Sequence, residues 1–236
     1  MTLSSAAFWA VIPAAGVGSR MGADRPKQYL PLGSLTILEH SILPFLNHPG
    51  LKGMVVCLAS DDPWWPTLPC ALDSRIERVA GGSDRAESVL NALLHLHAQG
   101  ADDNDWVLVH DAARPNLSGD DLDHLLAALS TDPVGGLLAV PARDTLKRMD
   151  ADGRVSETVD RSQIWQAYTP QMFRLGALHR ALADAMVSKA AITDEASAME
   201  WAGQAPRLIE GRADNIKVTR PEDLDWLRQR CLAPVV

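Results

Sequence analysis

An apolar run, Phe8 to Ile12, empties directly into the segment PAAGVGSRMGADRPKQ at residues 13–28. A run this short and this apolar reads as a strand buried inside a sheet. The glycines and alanines after it cannot continue a strand; they let the backbone come close to a ligand and turn N–H groups toward an anion. Two cations, Arg20 and Lys27, sit within or just beyond the loop. The arrangement predicts a phosphate site at the carboxyl end of the first strand of an α/β sheet.

Two familiar glycine motifs do not fit. A Walker loop needs G-x-x-x-x-G-K-[ST], whereas Gly16 and Gly18 are followed by Ser19 and Arg20, with the lysine only after Pro26. The dinucleotide fingerprint G-x-G-x-x-G is also missed, because Gly22 comes one residue too late after Gly16 and Gly18. An arginine inside the turn would project toward a bound pyrophosphate.

The 236 residues allow one α/β domain with a large core, and a net charge of −8 argues against a general nucleic-acid binder. Any anion site must therefore be locally basic. Cys57, Cys70 and Cys231 are scattered and form no C-x-x-C pair, which fits a reducing cytoplasm and suggests neither a zinc site nor a disulfide framework. No apolar stretch reaches membrane-spanning length, and no secretory leader is evident.

Apolar runs alternate with helical patterns along the chain. Strands are expected at 7–12, 53–59, 75–80, 106–110 and 136–140, and a short one at 215–219. Helices are expected at 35–47, from a Ser83 or Asp84 cap to His97, from a Ser118 cap to Leu129, at 175–187, at 194–202 and from Pro221. This rhythm predicts a Rossmann-like three-layer α/β sandwich with a mostly parallel sheet. It breaks after Pro141, where 145–149 and 154–158 read as polar strands around the Asp152–Gly153 turn. A hairpin without a core of its own is unstable alone. An arm at about 142–162 that packs on a second subunit, and hence a homodimer, is expected.

Other clusters follow later strands. Gly81–Gly82–Ser83–Asp84 opens a helix whose first N–H groups can meet an anion or a base edge. Asp111 and Arg114 follow the strand WVLVH, where open α/β sheets place their ligands. A carboxylate there can hold Mg2+ together with substrate phosphates, and Arg114 suits a second anion. His110 reads more simply as a packed, hydrogen-bonded residue.

Taken together, PAAGVGSRMG, PKQYLPLG, TILEHS, GGSDRAESV, VLVHDAARP, RDTLKR, TVDRSQIWQAYTPQ, ITDEASAMEWAG and EGRADNIKVTRPEDL resemble the 2-C-methyl-D-erythritol 4-phosphate cytidylyltransferase family of non-mevalonate isoprenoid synthesis. The resemblance implies a dimeric enzyme with an exchanged arm that joins CTP to methylerythritol phosphate and releases pyrophosphate, using Mg2+. Pro13, Ala14, Ala15, Gly16, Gly18 and Ser19 would lie along the nucleotide, with Arg20 on its triphosphate and Lys27 on the transferring phosphate. Gly82, Ser83 and Ser88 would read cytosine, largely through backbone groups. Ser83 departs from the pattern, which is often acidic there. Asp111 and Ala112 would meet the ribose side, Asp111 also the metal, and Arg114 the methylerythritol. Thr145 and Arg161, from the partner's arm, would clamp its phosphate; Thr169, Lys217 and Thr219 would complete the pocket. No second domain's length of sequence follows the last helix, so the fused bifunctional form is not expected.

The chemistry can be reasoned separately. A phosphate monoester, with a second pKa of roughly 6, is mostly dianionic at neutral pH and attacks without a general base. The protein then positions the reactants and neutralises charge. Lys27, Arg20, Lys217 and Mg2+ suit that work. Rival readings are a ribitol-phosphate cytidylyltransferase, a sugar-phosphate nucleotidyltransferase for UTP or GTP, a non-catalytic nucleotide-binding regulator and, with misfit glycine spacing, an NAD-dependent dehydrogenase.

Overall fold

The computed structural model describes residues 6–16 and 24–232, with side chains through residue 229. Strand β1 (Phe8–Pro13) sends Phe8, Ala10 and Ile12 into one hydrophobic layer and Val11 into another. This period-2 split is what a strand covered on both faces requires. Next, β2 (Pro31–Leu32) and β3 (Leu35–Thr36) form a small hairpin, then α1 (Ile37–Leu46), β4 (Leu51–Leu58), β5 (Ile76–Ala80), α2 (Arg85–Ala98) and β6 (Trp106–Val109) follow. The second half holds α3 (Gly119–Leu129), β7 (Gly135–Pro141), β8 (Leu146–Met149), β9 (Val155–Val159), β10 (Trp165–Arg174), α4 (Leu175–Val187), α5 (Glu195–Trp201), β11 (Arg207–Glu210) and α6 (Pro221–Leu232).

Seven strands make the main sheet in the order β11-β7-β10-β6-β1-β4-β5. All run parallel except β10, which is antiparallel to both β6 and β7. On one face, Leu38, Ile42 and Phe45 of α1 and Leu122, Leu125 and Leu129 of α3 pack on Ile12, Val56 and Leu108. On the other, Val89 and Leu93 of α2 and Leu178 and Leu182 of α4 pack on Val11, Val55, Cys57 and Val107. Each fully buried aliphatic or aromatic side chain in these layers contributes about 1.5–3 kcal/mol.

Caps fix where the helices begin. Asp84 accepts the Glu87 N–H at 2.9 Å, Ser118 accepts that of Asp121 at 3.1 Å, and Thr36 and Glu39 form a reciprocal capping box before α1. Such caps are worth about 1 kcal/mol each. A third small cluster, with Leu32, Ile37, Val218, Leu224 and Leu227, seats α6 on the β2–β3 hairpin.

The three-layer, mostly parallel architecture is the expected one. Three details differ. The helix expected from Leu35 starts at Ile37, because Leu35 and Thr36 pair with β2. Strands β10 and β11 were not anticipated. The strand expected at 215–219 is not one: its main chain gives a single sheet-like bond, Val218 N–H to the Ala113 carbonyl at 2.8 Å. Asn215 and Val218 are instead buried side chains that pin this segment across the strand ends. Among the described residues, strands β8 and β9 pair only with each other. Among the described residues no helix is long and apolar enough to cross a membrane.

Candidate active site

Loops at the carboxyl ends of β1, β5 and β6 enclose a cavity of about 250 Å³. Pro13, Ala14, Ala15 and Gly16 line one side, and Gly82, Ser83, Asp84, Arg85 and Ser88, at the start of α2, line the other. Lys27, Gln28, Asp111, Ala112, Ala113 and Lys217 complete the wall. The β1 and β5 loops meet closely: a Cβ on Gly81 would stand 2.3 Å from the Ala15 Cβ. Only glycine permits that approach.

Gln28 shapes the entry to the first loop. It is 4% exposed, and its amide donates to the Ala14 carbonyl at 2.7 Å and the Gly16 carbonyl at 3.1 Å. One side chain thus holds two carbonyls of the glycine segment, which turns the intervening backbone in a fixed sense. Lys27, beside it on a single 3-10 turn, donates to the Val218 carbonyl at 2.8 Å. The late segment around Lys217 is in this way drawn over the first loop.

Asp111 is the electrostatic centre. Its carboxylate lies 3.0 Å from Arg85 Nε, 2.9 Å from Lys217 Nζ and 3.5 Å from Arg114 Nε. Burial alone would raise its pKa; the nearby Arg85, Lys217 and Arg114 outweigh it and hold the carboxyl well below the usual carboxylate range. Arg85 continues the chain of charges. Its guanidinium grips Glu195, which is fully buried, through two bonds of 2.6 and 3.0 Å. Burial works against the Arg85 charge, but the two carboxylates overcome it and raise its pKa above the ordinary arginine value.

His110 braces the loop from below. Its Nε2 contacts the Arg114 carbonyl at 3.0 Å, and its Nδ1 meets the Thr169 hydroxyl at 2.9 Å. A carbonyl only accepts, so Nε2 carries the proton and Nδ1 accepts from the hydroxyl. Thr169 Oγ1 in turn accepts the Asp111 N–H at 3.1 Å. Full burial pushes the imidazole down to about 4, so it is neutral at physiological pH.

A second cavity, of about 180 Å³, adjoins the first. Arg85, Asp111 and Lys217 line both, while Arg114, Tyr168 and Thr169 belong to the second. Arg114 donates to the Asn215 carbonyl at 2.7 Å and lies 4.3 Å from the Tyr168 ring centroid. One wall of mixed charge therefore separates two adjoining spaces, which is an arrangement for bringing two anionic reactants together.

Eleven of the expected site residues line the first cavity: Pro13, Ala14, Ala15, Gly16, Lys27, Gly82, Ser83, Ser88, Asp111, Ala112 and Lys217. Arg114 and Thr169 line the second. Gly18, Ser19 and Arg20 lie outside the described residues. Thr145 and Arg161 are exposed at the base of the β8–β9 hairpin and line neither cavity. Thr219 also lies apart from both; its N–H and hydroxyl each donate to Asp223 at 2.8 Å, capping α6. Sequence reasoning missed Gln28, Arg85 and Glu195. All three lie inside quoted segments, PKQYLPLG, GGSDRAESV and ITDEASAMEWAG, but the buried contacts that give them a role appear only in the folded chain.

A mostly parallel sheet with a lysine-flanked cavity at its strand ends is the hallmark of a nucleotide-binding α/β protein. The family model of 2-C-methyl-D-erythritol 4-phosphate cytidylyltransferase matches residues 8–228. A protein of that name from Pseudomonas fluorescens Pf-5 is 81% identical over 224 residues, 95% of each chain. One from Pseudomonas entomophila L48 is 74% identical over 230 residues, 98% of each chain. Among solved structures, the Francisella tularensis protein of the same name is 35% identical with a TM-score of 0.81, covering 95% of this chain and 100% of its own. The chain belongs to the 2-C-methyl-D-erythritol 4-phosphate cytidylyltransferase family of nucleotidyltransferases.

Proposed function

We propose that the protein transfers the cytidylyl group of CTP to the phosphate of 2-C-methyl-D-erythritol 4-phosphate, giving CDP-methylerythritol and pyrophosphate for isoprenoid precursor synthesis. The observation that carries this reading is the pair of adjoining cavities with Lys27, Lys217 and Asp111 at the strand ends, in a chain of this family. A phosphate oxygen of the acceptor attacks the α-phosphorus, and the bond to the β-phosphate oxygen breaks. The dianionic acceptor needs no proton removed.

The residues then have simple tasks. Backbone groups of Pro13–Gly16 follow the nucleotide, and Lys27 meets the α-phosphate as negative charge builds there. Lys217, 40% exposed beside Asp111, has the freedom to turn toward the same phosphates. Arg20, with Gly18 and Ser19, belongs on the triphosphate by the sequence pattern. Arg114 and Thr169 face the acceptor. Gly82, Ser83 and Ser88 border the base. Preorganised cations of this kind each account for about 10²–10³ in rate.

Mg2+ would take Asp111 as its protein donor once Lys217 turns from that carboxylate toward the phosphates. Asp111 offers a deprotonated carboxylate at the cavity wall, and this ion takes one or two carboxylates and fills its shell with phosphate oxygens and water. When bound it would neutralise phosphate charge; Asp111 would hold it.

We further propose that residues 1–236 act as one domain and that the β8–β9 hairpin is an arm exchanged in a homodimer. Exposed Met149 and Val155 on that hairpin support this, because a self-paired hairpin has no other cover for them. Thr145 and Arg161 would then serve the partner's acceptor site. Unpaired Cys57 and Cys70 fit a cytoplasmic setting. The test is pyrophosphate release from CTP with methylerythritol phosphate and, separately, with ribitol 5-phosphate. Release with the first alone is expected; release with ribitol phosphate alone would refute the substrate assignment.

A further inference from the structure

The loop that borders the base is held by two side chains from the first turn of α2. The Gly82 N–H donates to Ser88 Oγ at 3.0 Å, and the Ser83 N–H donates to the Glu87 carboxylate at 2.5 Å. Ser88 is itself fixed: it is 3% exposed and its hydroxyl donates to the Asp84 carbonyl at 2.7 Å. Glu87 lies directly over Gly82, where a Cβ would come within 2.3 Å of the Glu87 Cγ. The absent side chain at residue 82 is the space that the Glu87 stem fills.

The peptide geometry gives this a chemical consequence. In a planar trans peptide the carbonyl points opposite to the N–H. With the Ser83 N–H turned into α2, the Gly82 carbonyl faces the other way. Gly82 borders the cavity, and no group among the described residues bonds its carbonyl. On the cytidylyl-transfer reading, a base seated against this loop meets that carbonyl as an acceptor. Cytosine presents a C4 amino donor, whereas uracil presents an O4 acceptor at the same place. An acceptor on the protein attracts the first and repels the second. Turning this peptide over rotates ψ of Gly82, where the missing Cβ removes steric resistance, and φ of Ser83, so the Glu87 bond and the Ser83 backbone together hold it. Flipping it would present the Ser83 N–H and reverse the preference.

We infer that Glu87 is a specificity-positioning residue: by holding the Ser83 N–H it keeps the Gly82–Ser83 peptide in its acceptor-outward orientation and so selects a cytosine over a uracil nucleotide. The inference rests on the cytidylyl-transfer reading. Glu87 does not touch the base; it acts through the peptide.

The test compares wild type, Glu87→Gln and Glu87→Ala, reading kcat/KM with CTP and with UTP by pyrophosphate release, together with thermal unfolding. Glutamine keeps an oxygen that accepts the Ser83 N–H, whereas alanine does not. Both lose the negative charge at the α2 N-terminus, so both lower the melting temperature, alanine somewhat further through the lost hydrogen bond. The expected result is a CTP:UTP preference that falls by about tenfold in Glu87→Ala and stays within about threefold of wild type in Glu87→Gln. An unchanged preference in Glu87→Ala, or an equal fall in both variants, overturns the inference while leaving the enzyme reading intact. A wild type that does not prefer CTP overturns the reading itself, and this inference with it.

Discussion

Glu195→Gln removes one charge from the most deeply buried ion pair of the site while nearly preserving volume. In the native protein Glu195 is fully buried and receives two bonds from Arg85, at 2.6 and 3.0 Å. Breaking a buried pair by neutralising one partner costs about 3–5 kcal/mol, because the other charge is left in a dry setting. Here the cost falls at the low end, about 3 kcal/mol. Arg85 keeps Asp111 at 3.0 Å, and its side chain is 26% exposed to water. For a chain of this length that is a drop of about 6–12 °C in melting temperature. Thermal unfolding at about 0.1 M and about 1 M salt measures it. A buried pair is screened little, so the drop should persist in the stronger salt. A drop under about 2 °C, or one that vanishes in high salt, would refute the claim that Arg85 is anchored in the interior.

Lys27→Ala should lower kcat by a factor on the order of 10² with little change in folding, as expected for one preorganised cation; undiminished turnover would remove Lys27 from the chemistry. Arg161→Ala should raise KM for methylerythritol phosphate and leave that for CTP nearly alone. Mixing it with Lys27→Ala should regenerate some active sites if the arm is exchanged, and no recovery would count against a shared site. The neutral His110, with its pKa lowered from 6.5 to about 4, gives stability that is complete above the unfolded value and lost as pH falls toward the folded one. Wild type should therefore lose about 2 kcal/mol more than His110→Gln between about pH 7 and about pH 4.5, read by urea unfolding. Equal losses would show that His110 is not held neutral.

The parts of the fold that were legible are those whose signal is periodic. The helix expected at 175–187 spans Leu175–Val187, and the buried runs of β1, β4, β6 and β7 were continuous apolar stretches. Strand β10 hid because its first half, Trp165–Tyr168, is partly exposed and Gln166 interrupts its apolar residues, so no continuous apolar run marks it. β11 is an edge strand with only Ile209 buried, so a single residue carried its pattern. The segment 215–219 misled for the opposite reason: Ile216 and Val218 alternate like a strand, yet they seat α6. At the site, glycine and lysine spacing marked the first loop. Arg85 and Glu195 are 110 residues apart, and only the folded chain shows that they meet. Gln28 stood in a quoted motif, but a glutamine carries no chemistry that spacing alone reveals; its role comes from two carbonyls brought within reach.

A crystal structure with CTP bound addresses the central claim most directly. The triphosphate should lie between the Ala14–Gly16 backbone and Lys27, with the cytosine against Gly82 and Lys217 turned toward the phosphates. CTP found outside this cavity, or inside it with Lys27 still on the Val218 carbonyl and far from any phosphate, would contradict the account.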